Sequence, residues 1–450
     1  MTAPSRTAKI ALAVVLAGLV AGCASVSALN PFAEKEKHLK GERRDIFTNS
    51  DPLAGVTSRA ASVPAARSNA DWPQPHGNAA NDPGNLAFNG SGTRVWQASL
   101  PGAGGGGSSW FGGADSSLRV YARPVVDGGR VLVYQPSGRV TALSLANGGQ
   151  AWSTEVDPER KSRAIGGGVT TDGGRAYVST GFGSIASLDS ASGQVLWTKK
   201  LEAPARGAPT AAAGKLFVVT QTNVLVALSQ ADGSELWTYR GVPELAGVLS
   251  ASSPAVMGDT VVVPYSSGEL IAIDINDGQA RWSEVVTKAM RTMAVSALSD
   301  VAASPVVSGG TVFASGMAGR TIAIDLKTGS RIWEQDIGSA HTPAVAGNAV
   351  FLLDLDDRLV AIDRSAGTIL WATQLPVVRE KKKRSHWAGP LLANGDLWLT
   401  STDGKLISVN ASNGEIRNTR EIGAPGYVSP VVASGRMVVI GGTGGVLAFE

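Results

Sequence analysis

Cysteine is nearly missing from this sequence. Its 450 residues hold one, Cys23, so no disulfide can form within the chain. Histidine is almost as scarce. His38, His76, His341 and His386 are widely scattered, with no His-x-His or His-Glu-x-x-His spacing, which leaves a zinc site little support. No Gly-x-Ser-x-Gly elbow or Walker loop occurs, so no motif demands an enzyme. Charge of one sign is lacking too: 40 Lys and Arg face 37 Asp and Glu. Such neutrality argues against nucleic-acid binding. The main apolar run, Ile10 to Leu19, is too short to cross a bilayer.

What the chain has is glycine, 55 residues, and tryptophan, 11 residues, and both fall in a pattern. Gly-x-x-x-Trp recurs at Gly92/Trp96, Gly148/Trp152, Gly193/Trp197, Gly233/Trp237, Gly278/Trp282, Gly329/Trp333 and Gly367/Trp371, and an eighth copy, Gly414/Asn418, has lost its Trp. The text around each copy, as in IAIDINDGQARW (271 to 282) and LVAIDRSAGTILW (359 to 371), reads as half-buried strand, Gly-containing turn, strand. Upstream lies another pair of short apolar runs, such as SPAVMGDTVVVPYSSGE (253 to 269). Four short strands per unit, repeated, is the sequence form of a β-propeller. The expected fold is therefore all-β, an eight-bladed propeller of four-stranded antiparallel blades.

The chain ends at Leu447-Ala448-Phe449-Glu450, before a repeat's turn and Trp strand, whereas Ser91 to Trp96 is a turn and Trp strand with no strands before it. The two fragments sum to one blade, so the strand around Trp96 is expected to pair with the C-terminal strands and close the ring. Residues 92–450 then divide into eight units of about 45 residues, which suits four strands of about 5 to 6 residues plus turns. The seven ruler tryptophans read as blade-packing elements whose indole N–H finds a backbone acceptor. Trp398 reads as core, and nothing in the sequence separates core from surface for Trp110. Asp189, Asp274, Asp325 and Asp363 stand just before the turns and read as Asx-type turn formers rather than metal ligands.

Ahead of the ring stands an address. Arg6 and Lys9 precede the apolar stretch, and Val20-Ala21-Gly22-Cys23 follows it at once. This resembles a bacterial lipobox, in which the Cys becomes the lipid-modified first residue of the mature protein. Residues 1–22 are thus expected to be a signal peptide and Cys23 the lipidation site. Removing that peptide leaves 38 basic against 37 acidic residues. Residues 23–70 read as the lipidated N-terminus and a flexible tether, and 71–450 as the propeller. The basic run Arg379 to Arg384 reads as a solvated loop, with contact to an acidic partner or anionic lipid as the alternative.

The Trp ruler resembles that of the quinoprotein-type propellers, and two families share it. The pyrroloquinoline quinone dehydrogenases carry an adjacent Cys pair, which this chain cannot supply. The BamB family, lipoprotein subunits of the β-barrel assembly machinery, is similar over nearly the whole chain: lipobox, tether, Asp71-Trp72-Pro73-Gln74-Pro75-His76-Gly77-Asn78 against the family's W-P-Q-x-x-G-N, and then the ring. That resemblance implies a non-enzymatic scaffold without a cofactor, anchored in the outer membrane and facing the periplasm, with Ala24 after the Cys favouring that sorting. Its implied partners are the POTRA domains of BamA and other Bam subunits, with nascent outer-membrane proteins as further candidates.

Family binding residues map onto two stretches. In Gly247 to Pro254, Val248 and Leu249 keep the apolar character, with Leu249 standing where the family has Arg. In Ser299 to Pro305, Asp300 matches, and Ala302 replaces the second family Asp. Independently of the family, the connections 237–254 and 282–305 read as long loops carrying Leu245, Val248, Leu249, Met290, Met293, Val295 and Leu298, apolar where a loop should be polar. Exposed, these form a partner patch; otherwise they close over the ring's own core. Two alternatives to the scaffold reading stay open: a propeller that holds unfolded barrel strands at its blade edges by β-augmentation, and a relative of the quinone-dependent dehydrogenases.

Overall fold

Alternate residues along each middle strand of the repeat belong to two different cores, and this arithmetic fixes the architecture. In the third strand of the fourth repeat, Glu269–Asp274, Ile271 and Ile273 pack with Phe217, Leu225 and Ala227 of the repeat before. Leu270 and Ala272 pack with Val307, Val312 and Ile322 of the repeat after. A strand buried on both faces reads as a nearly unbroken apolar run. The sequence pattern suggested a half-buried strand; the second face is covered because a neighbouring sheet, not solvent, lies against it. At about 1.5–3 kcal/mol per buried large aliphatic side chain, these shared cores hold the sheets together.

The structure, a computed structural model, describes residues 51–90, 92–101, 120–160, 162–243, 252–287, 301–380, 383–442 and 444–450. All regular elements among them are strands. They form eight four-stranded antiparallel sheets, plus one two-residue pair, Arg379–Glu380 with Lys383–Arg384. Blades I to VII are continuous in sequence, over 125–155, 167–200, 210–240, 255–285, 306–335, 344–374 and 387–421. Blade VIII takes Val431–Ala433, Arg436–Gly441 and Gly445–Phe449 from the C-terminal part and its outermost strand, Arg94–Ser99, from the N-terminal part. Trp96 lies opposite Ala448 in that seam, and Thr93 and Glu450 exchange two backbone hydrogen bonds at 2.7 and 2.9 Å. The fold is thus an eight-bladed β-propeller, closed as the sequence pattern implied.

The spacing of the ruler has a steric cause. Each Trp indole N–H donates to a backbone carbonyl of the next blade, at 2.8–3.2 Å: Trp96 to Leu145, Trp152 to Ser190, Trp197 to Gln230, Trp237 to Ile275, Trp282 to Leu326, Trp333 to Arg364 and Trp371 to Ala411. The same indole covers the turn glycine of that next blade. A Cβ on Gly148, Gly193, Gly233, Gly278, Gly329, Gly367 or Gly414 would stand 2.5–2.8 Å from the Trp of the preceding blade. Across the hairpin, the Trp faces a small residue: Ala142, Ala227, Ala272, Ala323 and Ala361 each pair with their blade's Trp, and Ser187 with Trp197. On that residue's other side lies an aromatic of the second strand, such as Phe217, Phe313 or Phe351, whose ring centroid is about 6 Å from the Trp ring.

At blade VII the pattern changes. Asn418 lies opposite Ser408, its side-chain N–H 3.5 Å from that hydroxyl, and Arg420 rather than an indole covers Gly92 of blade VIII. Asp189, Asp274, Asp325 and Asp363 accept backbone N–H groups two or three residues on, at 2.8–3.1 Å, as turn formers do.

The chain joins the ring earlier than residue 71, the boundary expected from sequence. Arg59 N–H donates to Leu370 O, Ala61 to Ser412 O, and Ser62 exchanges bonds with Asn348. Residues from Pro52 onward belong to the propeller unit. The Ala- and Ser-rich composition that suggested a tether supplies backbone pairing here, and Ala61 is buried in the core shared by blades VI and VII, with Val63 packed against it.

Two glycine replacements separate the contact from the backbone conformation. Gly258 and Gly414 both have positive φ, 59° and 76°, but a Cβ on Gly258 meets nothing within 4 Å, whereas on Gly414 it meets Thr373 Oγ1 at 2.5 Å and the Trp371 ring at 2.6 Å. Gly258→Ala is expected to cost about 1 kcal/mol and Gly414→Ala roughly 2–4 kcal/mol, read from urea denaturation. Equal costs would remove the indole contact as the reason for the ruler.

Candidate functional site

The two faces of the ring are unequal. One carries the turns between first and second strands, and there the segment 59–90 crosses all eight blades. Trp72 pairs with Val126 of blade I, Pro73 O accepts from Thr171 of blade II, and the Gln74 amide bonds both ways with Ala211 of blade III. Ala79 O and Ala80 O accept from Val256 and Val307 of blades IV and V, Ser62 bonds Asn348 of blade VI, and Leu86 and Asn89 reach blades VII and VIII. Trp72, fully buried, anchors this strap, and Phe88 lies edge-on to the buried Trp398 at 5.4 Å.

The opposite face carries the connections between blades and the turns between second and third strands. Tyr121, Ile165, Val242, Leu355 and Val378, all on this face, are 37–51% exposed. Among the described residues, the remaining exposed large apolar ones lie on the outer strands, at Val95, Val195, Leu196, Leu236, Val285, Ile332 and Ile416. The longest connection, 100–124 from blade VIII to blade I, was not singled out by sequence, because its blade is split between the two ends of the chain.

The connections expected to bind a partner share one anchor. Gly241 N–H donates to Asn223 O and Val242 N–H to Glu269 Oε2, so the first loop leaves beside blade IV. The second loop leaves where Val286 N–H donates to Gly268 O and returns where Val301 N–H donates to Tyr265 O. Tyr265 to Glu269 is the turn of blade IV, so both loops spring from its two sides. Val248, Leu249 and Asp300 themselves, together with Leu245, Met290, Met293, Val295 and Leu298, lie outside the described residues, as do Cys23 and Trp110. Ala302, at the second family Asp position, is buried and lines the axis of the ring rather than the outer surface. The basic run is a short antiparallel pair, with Arg384 bridging to the buried Asp357 at 3.0 Å.

On the axis, a cavity of about 260 Å³ is bounded by the strap at Pro75 and His76 and by the starts of the blades at Arg123, Ser304 and Thr342. His76 Nδ1 lies 2.9 Å from Arg123 Nη1, and its Nε2 2.9 Å from Ser304 Oγ. Arginine can only donate, so Nδ1 accepts and the imidazole carries its proton on Nε2. Sequence spacing gave no sign of this cluster: His76 and His341 are distant in the chain, and only ring closure brings both to Arg123. Burial, with the Arg123 charge second, holds the His76 imidazole well below its ordinary range. His341 is lowered to about 4 by burial, then by Arg123 and His386.

The chain matches the profile of the outer membrane protein assembly factor BamB family over residues 82–163 and 146–373. It belongs to the BamB family. BamB of Salmonella typhimurium is 28% identical over 199 residues, 44% of this chain and 49% of that protein, and BamB of Vibrio cholerae is 38% identical over 89 residues, 20% and 23% of the two. The aligned part thus spans about half the length of the longest-matching relatives. Among solved structures, BamB from Moraxella catarrhalis superposes with a TM-score of 0.66 at 20% identity, covering 80% of this chain and 99% of that one. The quinohemoprotein alcohol dehydrogenase of Comamonas testosteroni gives 0.66 at 15% identity over 85% and 81%. At such identities these two structures speak for the fold alone.

The lowered imidazoles of His76 and His341 make stability depend on pH. Unfolded, His341 titrates near 6.5; folded, near 4. The unfolded state therefore binds more protons in between, so the stability present above pH 6.5 is lost as pH falls towards 4. Urea midpoints are expected to drop over that range, and in His341→Gln the drop should be shallower by up to about 1.4 kcal/mol per pH unit. Identical pH profiles would contradict the shielding of His341.

Proposed function

We propose that this protein is a non-enzymatic scaffold lipoprotein of the outer-membrane β-barrel assembly machinery. Its face of blade connections docks the periplasmic POTRA domains of BamA, and a lipid on Cys23 holds it at the outer membrane. The observation that carries the reading is the common anchoring of the two candidate loops on either side of the blade IV turn 265–269. Loops rising from a rigid scaffold are where binding concentrates, and the strap occupies the other face of the ring. Exposed apolar side chains such as Val242 beside the loop stem suit the core of an interface. Within it, Val248 and Leu249 would supply apolar contact and Asp300 a charged one.

A second reading rests on the outer strands. Val195, Leu196, Leu236 and Ile332 are exposed on strands with one unpaired edge, a geometry that accepts an extended peptide by β-augmentation. Unfolded barrel strands would be the ligand, and binding of extended barrel peptides that the loop changes leave untouched would favour it.

Calorimetric titration with the POTRA domains of the same organism's BamA tests the first reading. Replacing Val248, Leu249 and Asp300 together by Ala is expected to weaken binding at least tenfold, about 1.4 kcal/mol, while leaving the thermal midpoint unchanged. Wild-type affinity in that variant would sink the assignment of the face. Cys23→Ala is expected to move the protein from the outer-membrane fraction to the soluble periplasmic one. Retention in the membrane fraction would refute the lipid anchor.

A further inference from the structure

Arg123 is a half-buried cation on the ring axis with no salt bridge to any described residue. It lies between Ala122 and the start of blade I and lines the axial cavity. Its one hydrogen bond among the described residues is the 2.9 Å contact to His76 Nδ1, a neutral acceptor. Burial lowers its pKa, to about 10, and no carboxylate of the described residues offsets that. A guanidinium partly withdrawn from water without a counter-charge is costly, and among the described residues none balances Arg123, at a place a small ligand can enter.

The groups around it are donors as well. With the His76 proton on Nε2, Ser304 Oγ accepts from that imidazole and from the Ser253 N–H at 2.9 Å. Its own hydroxyl hydrogen is then left to donate, and no described group takes it. Ser304 is buried and lines the cavity. His341, held neutral, adds no charge. Among the described residues the site therefore offers one positive charge, the forked guanidinium, and a hydroxyl donor, in about 260 Å³, the volume of roughly nine waters.

We propose that the axial cavity is a binding site for a small monocarboxylate, whose carboxylate pairs with the Arg123 guanidinium and accepts the Ser304 hydroxyl. A planar carboxylate matches the guanidinium fork in geometry and in charge. A phosphate dianion would leave a negative charge uncompensated in the same enclosure. Tyr121 and Tyr427, which also line the cavity, suit an apolar or aromatic remainder on the acid. The ends of the two blade IV connections also line the cavity, at Ser252, Ala302 and Ser304, so the two bindings are told apart by residue: the change at Arg123 tests the carboxylate and the triple change at Val248, Leu249 and Asp300 tests the partner.

Titration of the full-length chain in detergent with benzoate, acetate, inorganic phosphate and chloride, at constant ionic strength and pH 7.5, tests this. Saturable one-to-one binding of the carboxylates is expected, at least tenfold tighter than phosphate or chloride. Arg123→Gln should weaken it at least tenfold and Ser304→Ala several-fold. Should Arg123→Gln not fold, Ala340→Phe provides the second test, because Ala340 lines the cavity and is only partly buried. Its ring would occupy ligand space without removing the guanidinium, and binding should be lost. Carboxylate binding no tighter than chloride, tighter binding of phosphate, or wild-type carboxylate affinity in Arg123→Gln or Ala340→Phe would overturn the proposal.

Discussion

The indole of one blade lying over the turn glycine of the next is the contact on which the rest of this structure depends. It joins neighbouring sheets by a hydrogen bond and a close packing contact in one place, and it recurs at seven of the eight blade boundaries. Because the indole needs space, the residue across the hairpin is small and the residue beneath it is glycine. A single packing demand thus explains the Ala, the Gly and the Trp of the repeat together. Each blade alone would expose both faces of its middle strands, so these contacts are worth most when the ring is closed.

Closure makes the two faces chemically different. The strap 59–90 satisfies the backbone of the innermost strand ends on one side, bonding every blade in turn. It also seals one end of the axis at His76. The other face keeps the blade connections, with exposed apolar side chains and the stems of the long loops beside blade IV. Open loop stems on one side and a strapped floor on the other follow from where the chain enters the ring.

The strap also decides the chemistry of the axis. By placing His76 against Arg123 and Ser304, it fixes an imidazole tautomer and leaves a guanidinium facing the cavity. The quinohemoprotein dehydrogenase shares the ring geometry, but a shared fold does not carry its chemistry. What this axis can bind is set by its own residues, which among those described are one cation beside neutral groups.

Much of the fold was legible in the sequence, because the ruler is a local consequence of a contact repeated between identical neighbours. The spacing from Gly278 to Trp282 reports a hairpin, and seven such copies report the ring. The split of blade VIII between Trp96 and Leu447 was legible for the same reason. The double burial of strands such as Glu269–Asp274 was not, since an apolar run does not say how many sheets flank it. Nor was the docking of Arg59 to Ala70, whose backbone pairing leaves no periodic side-chain pattern and whose few side-chain contacts, such as Asn69 to Val432 O, are long-range. The sequence by itself determined the repeat and the strand order. Only the tertiary structure decided that His76, Arg123, Ser304 and His341 meet on one axis and that the loops after Arg240 and Val285 flank one turn. Those neighbours are set by rotation about a closed ring, a long-range geometry that no local spacing encodes.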